Sequence, residues 1–413
     1  MKRVIYRELE TEPGFWGPLV ALVLLVGAGL GSAYYMEHHG HVVTGMDNRI
    51  VWGLPHVFAI LLIVGASGAL NVASVGSVFG IAAYKPMARL SALLAIALLA
   101  GGLAILVLDL GRPDRLVVAM TTFNFKSIFA WNVFLYTGFL AITVAYLYVM
   151  MERNLGGWTK PVGTLAFIWR LALTTGTGSI FGWLVARDAY NSAVMAPLFI
   201  ALSLALGTAA FILITSWLLA ADGRPFEESV VTRLGRLLGI FAAANLYFAG
   251  VQHISALYIA ERVPVEDFLL VSGGIYPVLF WGGQVILGGL IPMALVFFAA
   301  SRSTVLLASV LAIIGAAAQI YVIIIGGQAF PLSMFPGYDV SSNIFDGAIA
   351  DYTPSLPEAA LGLGGIAIAL TAVLVAVRVL RILPLQLIGE TDAADGNAGT
   401  QSSGSQKGRP AAA

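Results

Sequence analysis

The chain returns again and again to stretches of about 19 to 25 residues that are nearly free of charge, each long enough to cross the ~30 Å hydrocarbon layer of a bilayer as a helix. That repetition leaves little choice of fold, and the expected class is an all-α integral membrane protein with about ten transmembrane helices. Charged residues make up only 11% of the 413 residues, and 22 basic side chains balance 22 acidic ones. With no net charge, nucleic acid is not an expected partner, and only the placement of the charges carries information. Cysteine is absent. Disulfides, thiolate iron–sulfur clusters, covalently attached c-type haem and cysteine nucleophiles are therefore excluded from this chain, and any iron–sulfur chemistry belongs to a partner. The opening "MKRVIYRELETEPGFWGP" starts basic but carries three glutamates, and no small-residue cleavage site follows the first apolar stretch, so it reads as an uncleaved start.

Charged, glycine and proline punctuation places the spans near 15–35, 51–79, 90–108, 128–150, 162–185, 195–219, 237–260, 274–299, 305–325 and 359–377. An even count puts both termini on one side. If that side is the cytoplasm, the inner segments hold fifteen Lys and Arg, and the outer segments hold six: Arg49, Arg112, Arg115, Lys126, Arg187 and Arg262. Arg170 is left inside a span. This bias gives an expected location in a bacterial inner membrane with both termini cytoplasmic. A long outer loop, "GGQAFPLSMFPGYDVSSNIFDGAIADYTPSLPE", has acids and aromatics but no Lys or Arg, and its prolines and aromatics argue for a packed lid or docking surface. Residues 391–413 read as a disordered cytoplasmic tail.

Polar residues inside the spans are the candidates for chemistry. His56, Ser67, Asn71 and Ser74 share one face of the second span, running inward from the outer surface. Small residues on that face can simply join helices by hydrogen bonds, whereas His56 near the outer end points to function. Arg170 sits near mid-membrane, where an unpaired arginine costs ~2.5 kcal/mol or much more. It either anchors carbonyls and the nearby Thr174 and Thr175, or lines a proton or water pathway. At 106–115, "LVLDLGRPDR" ends a span with Asp109, Arg112, Asp114 and Arg115. One reading is a helix end tied down by local ion pairs. The other is a pocket in which Arg and Asp hydrogen-bond a small polar head whose tail lies in lipid, a description that a quinone fits. The D-x-G-R order also occurs in major-facilitator transporters, but there on the cytoplasmic side after the second helix, so side and position both disagree.

"WGLPHVFAIL", "DLGRPDR", "FNFKSIFAWNVFLY" and "YNSAVMAPLF" together resemble the NrfD/polysulfide reductase membrane-subunit family, over about residues 51–210. Within it, the length, the ten spans and "AYYMEHHGHVVTGM" are most similar to membrane subunits of complexes linked to dissimilatory sulfite reductase. The resemblance implies two four-helix bundles with flanking helices. It divides the chain into a cytoplasmic start (1–14), a first helix with an outer histidine-rich loop (15–50), a first bundle with the quinone site (51–190), a second bundle with the long outer loop (191–357), a last helix (358–390) and the tail (391–413). It implies an electron exchange between membrane quinone, menaquinone or ubiquinone, and an outer partner, with no haem or iron–sulfur cluster in this chain. The implied head-group residues are His56, Asp109, Arg112 and Asn132. Asn71 and Arg170 are candidates for proton movement, and Arg115, Lys126 and Arg187 for partner docking on the outer face. Implied partners are a periplasmic ferredoxin-like iron–sulfur protein, a multihaem cytochrome c, a haem b membrane subunit and a cytoplasmic iron–sulfur catalytic subunit. The chain departs from the family in one place, with Tyr190 before Asn191 where a tryptophan is common.

Two rivals stand beside this reading. His56 and His253 are the only histidines inside spans, and both lie about two turns from the outer surface, so a bis-histidine haem b is conceivable. Pro292 and the glycine pairs of the eighth span suit a secondary transporter with broken helices. The clustered His38, His39 and His41 would bind metal only adventitiously, and no metal site is expected.

Overall fold

The computed structural model describes residues 4–10, 13–224, 226–332 and 347–385. Nearly all of them are helical. The long helices are α1 (Pro13–His39), α2 (Leu54–Ser77) and α3 (Ala88–Leu108), then, after a short exposed α4 (Leu116–Thr121), α5 (Ile128–Met151), α6 (Thr159–Gly182), α7 (Met195–Ala221) and α8 (Glu228–Leu257). Three more follow: α9 (Ile275–Phe298), α10 (Arg302–Ala329) and α11 (Leu356–Val379). Ser301 before α10 and Ser355 before α11 each close a capping box, with Thr304 and Glu358 as the reciprocal partners. Pro292 lies within α9, which stays helical from Ile275 to Phe298 with a wider π winding over Val278–Leu290.

Among the described residues, nine helices are long and apolar enough to cross a membrane. The 24-residue α6 is not among them, because Lys160, Arg170 and five threonines dilute its apolar character. The chain ends show that α6 crosses as well. Strand β1 (Tyr6–Arg7) pairs antiparallel with β2 (Leu383–Pro384), and Arg7 reaches Asp222 at the end of α7 at 2.7 Å. Both ends of the described chain therefore meet on one face, and only an even number of crossings returns the chain to the side it left. The ten expected spans are nine apolar helices plus one polar helix. The tail at 391–413 and the middle of the long loop, 333–346, lie outside the described residues.

Helices α2, α3, α5 and α6 pack on one another, as do α7, α8, α9 and α10, while α1 packs on α11, which lies against α2 and α3. These are two four-helix bundles with a flanking pair. The bundles meet along α2 and α7. Gly68 lies against the Ser203 carbonyl and Gly207 against the Gly68–Ala69 backbone, so the crossing has no room for a Cβ on either side. Helix α2 is consequently the most enclosed, with 94% of its central window buried against 17% for α1. A functional group carried by α2 is thus held from every side.

Candidate functional site

On the face opposite the paired chain ends, α2 to α6 enclose a cavity of about 430 Å³ that Ile324 of α10 also reaches. Leucine, valine and isoleucine side chains make up most of its wall, and His56, Asn132, Tyr136 and Thr137 supply its polar groups. Gly53 caps α2 and Pro55 takes its first turn, where a missing N–H costs nothing, so His56 stands at the very start of the helix. Asp109 is the C-cap of α3, with its N–H still bonded to the Ile105 carbonyl at 2.9 Å. Asn132 and Tyr136 stand one turn apart on α5.

The centre of this site is a buried carboxylate between two imidazoles. Asp109 Oδ2 lies 3.1 Å from His56 Nδ1, and Oδ1 lies 3.7 Å from His41 Nε2, with the Asp109 side chain only 2% exposed. His41 Nε2 is also 3.1 Å from the Asp109 carbonyl oxygen. The His56 contact is close enough for an ion pair but out of line for a hydrogen bond, so neither carboxylate oxygen receives a hydrogen bond from the described residues. A buried carboxylate in that condition is costly unless a proton or a donor reaches it. Asn132 is half satisfied. Its Nδ2 donates to the Ile128 and Gly176 carbonyls at 2.9 and 3.0 Å, which fixes the amide's orientation and leaves Oδ1 without a partner. Trp52 stacks beside His56, with ring centroids 6.3 Å apart, and packs edge-on against Phe181.

The second bundle holds Trp52 in place. Gln328, at the end of α10, accepts hydrogen bonds from the Val51 and Trp52 N–H groups at 3.0 and 3.1 Å, and donates to the Trp52 carbonyl at 3.0 Å. Arg187 donates to the carbonyls of Gln328 and Arg49, at 2.5 and 2.7 Å. Tyr190 donates to the Ile324 carbonyl at 2.9 Å and packs edge-on against Phe181, so the tyrosine that replaces the common tryptophan is a structural fastener behind the cavity wall.

A polar line descends from the cavity. Tyr136 OH is 3.3 Å from Thr177 Oγ1. Further in, Thr174 donates to Ser67 at 2.5 Å, Ser67 donates to the Arg170 carbonyl at 3.1 Å, and Arg170 Nη2 donates to Asn71 Oδ1 at 2.9 Å. Arg170 is 2% exposed, and its Nε and Nη1 have no hydrogen-bond partner among the described residues.

Other expected site residues fall elsewhere. Arg112 does not line the cavity: it is exposed and forms a two-pronged pair with Asp114 at 2.9 and 3.0 Å. The hydrogen bonds from that guanidinium hold the Asp114 carboxyl below the usual carboxylate range. Arg115 and Lys126 are exposed beside α4, whereas Arg187 is turned inward as described. His253 has Nδ1 2.6 Å from Glu266 Oε2 and lines a separate cavity of about 30 Å³ in the second bundle, so His56 and His253 do not face a common space. His38 stacks on Tyr34, and no group of three or more metal-ligating side chains occurs among the described residues. Spacing alone did not reveal three contributors to the site: His41, Tyr136 and Gln328.

Comparison with known proteins bears on the whole of this site. The family described as polysulphide reductase, NrfD, matches residues 42–332, a range that includes every residue lining the cavity. The chain belongs to this NrfD family. It is 28% identical over 395 residues to the Hdr-like menaquinol oxidoreductase integral membrane subunit of Archaeoglobus fulgidus, covering 94% of this chain and 98% of that one. A protein of Halobacterium salinarum whose provisional name is that of a dimethyl sulfoxide reductase membrane subunit is 31% identical, over 93% of this chain and 94% of its own. The menaquinone reductase integral membrane subunit of Nitratidesulfovibrio vulgaris is 23% identical, over 76% and 81%. This NrfD chain is therefore similar along most of its length to membrane subunits of oxidoreductase complexes.

Proposed function

We propose that this chain is the quinone-reactive membrane subunit of a redox complex of sulfur metabolism, and that it binds menaquinol in the cavity beside His56 and Asp109. The observation that carries the reading is the buried, donor-free Asp109 carboxylate held against His56 at the edge of an apolar cavity of about 430 Å³. The residues fit such a ligand: apolar walls suit a ring and the first units of a prenyl tail, and a few placed polar groups suit two oxygens. Two relatives whose names specify menaquinol or menaquinone favour that quinone type. Sulfur metabolism and the four partners rest on the sequence resemblance.

Among the described residues, the unsatisfied atoms at the site are three acceptors, the two Asp109 carboxylate oxygens and Asn132 Oδ1, together with His56 Nδ1, which faces Asp109 as an ion-pair partner. Asn132 can only accept, because both its N–H donors are taken by carbonyls. With Nδ1 turned toward Asp109, His56 keeps its proton there and presents Nε2 as a lone pair. Acceptors on both sides select hydroxyl donors, so the site is built for the reduced ligand and electrons leave through it toward the outer partner. When bound, the quinol supplies two electrons and two protons. His56 would take one proton at Nε2, with the adjacent Asp109 carboxylate stabilising the resulting imidazolium, and the second proton would leave by way of the Tyr136 hydroxyl. Arg112, Arg115 and Lys126 surround the exposed α4 and form the charged surface for the partner. A fluorescent quinol-site inhibitor titrated into the detergent-solubilised complex is expected to bind saturably, and at least tenfold more weakly in His56→Ala and Asp109→Asn. Unchanged affinity in both folded variants would move the site elsewhere.

The proposed proton route uses Tyr136, Thr177, Thr174, Ser67, Arg170 and Asn71, and the two unpaired Arg170 nitrogens mark where water joins the line. Arg170→Met in proteoliposomes is expected to lower the protons moved per electron at least fivefold, with inhibitor affinity within twofold of wild type. An equal proton yield would remove Arg170 from the route.

A further inference from the structure

A second large cavity, of about 570 Å³, lies at the opposite end of the first bundle, on the face where the chain ends meet. Its walls are the last residue of α2 with the turn after it (Ser77 to Gly80), the start of α3 and the turn joining α5 to α6. Lys85, Arg89 and Lys160 line it, and among the described lining residues there is no carboxylate. Arg89 is held by neutral groups among the described residues. It donates to the Met150 and Arg381 carbonyls at 2.5 and 3.0 Å and stacks over the Tyr6 ring at 3.9 Å. No carboxylate lies within ion-pair distance of its guanidinium among the described residues, so its charge is fixed in place and not neutralised there.

The rim of this cavity is apolar and exposed. Phe79, Ile81 and Trp158 are 59%, 48% and 62% exposed, the arrangement of aromatic and aliphatic side chains that sits at a membrane–water boundary. Gly156 and Gly157 leave their side of the wall open, since a Cβ at either would meet nothing within 4 Å. The first turn of α6, with Thr159 and Lys160, contributes the positive end of a 24-residue helix to the same wall. Cations converging at the interfacial level between spans, with an apolar rim beside them, are the chemistry that recognises a phosphodiester whose acyl chains lie in the bilayer.

We infer that this cavity is a binding site for the head group of an anionic phospholipid. The lipid phosphate sits among Arg89, Lys85 and Lys160, and its chains run along Phe79 and the lipid-facing side of α6. The site is independent of the quinone assignment, because it shares no lining residue with the other cavity.

The test uses the full chain in its complex, purified in mild detergent and titrated with cardiolipin or with phosphatidylcholine while bound lipid is read by native mass spectrometry. Wild type is expected to retain cardiolipin well above phosphatidylcholine. Lys85→Gln and Lys160→Gln are each expected to weaken cardiolipin retention about fivefold, and Lys126→Gln on the opposite face is expected to leave it unchanged. Thermal melting of each variant checks that the fold is intact. Equal retention of both lipids by wild type, or cardiolipin retention unchanged in the folded Lys85→Gln/Lys160→Gln double variant, would overturn the assignment. Displacement of cardiolipin by millimolar inorganic phosphate alone would also overturn it, by showing a site for a soluble anion.

Discussion

Asp109→Asn is expected to lower quinol-driven electron transfer by at least about 100-fold while the protein still folds and reaches the membrane. The physical reason is the position of the carboxylate. It is 2% exposed and pressed between His56 and His41, and no donor among the described residues satisfies it. Its negative charge is therefore available to stabilise an imidazolium at His56, and asparagine removes that charge while preserving shape. The described residues lose no hydrogen bond, because none of them bonds the carboxylate oxygens. His56→Gln is expected to cost a similar factor, and the double variant little more than either single one, because the two residues act as one unit. Turnover should be measured with a soluble quinol analogue and an artificial acceptor, so that partner docking does not enter the rate. Turnover of Asp109→Asn within threefold of wild type would show that the carboxylate is a structural group.

The second large effect concerns assembly. Gly68→Val is expected to abolish folded protein, because its side chain would enter the backbone around Ser203 and Gly207, where no rotamer change can make room. Separating α2 from α7 would strip packing from the most enclosed helix, and we expect a loss exceeding about 4 kcal/mol. Gly31→Val on the peripheral α1 is the control, since a Cβ there meets nothing within 4 Å. Size-exclusion of fluorescent fusions from crude extract measures both variants. A monodisperse Gly68→Val peak of wild-type height would mean that the bundles tolerate separation there.

Much of the fold was legible in the sequence because bilayer thickness and side-chain hydropathy act on every span alike. Helix α6 is the instructive case: its boundaries could be read from flanking Trp and Gly residues, although Arg170 and its threonines make it the least apolar span. His56 and Asp109 could be singled out because each is a polar residue near the end of an apolar helix, where topology alone fixes depth, whereas Asn132 came only through the family resemblance. Arg112 could not be oriented, because it lies in a loop, and whether a loop arginine turns to a cavity or to Asp114 depends on local backbone angles. His41 was lost for the same kind of reason: Gly40, at φ 79°, reverses the chain and sends the ring to the backbone carbonyl of Asp109, 68 positions away, with the carboxylate just beyond. Tyr136 was within reach, one turn along from Asn132. Gln328 was not, since its partners lie 276 and 277 residues earlier in the chain and nothing near it signals them.

The Gln328 and Arg187 clasp has a consequence for anyone who would shrink this protein. The residues that line the cavity beside His56 come almost wholly from the first bundle, which invites excision of that half as a minimal, portable module. Yet Val51 and Trp52, the segment leading into His56, take their hydrogen bonds from a side chain at the far end of α10. The two halves are thus joined at this clasp as well as along α2 and α7, and any gene fusion, split or circular permutation must keep residue 328 within reach of residue 52.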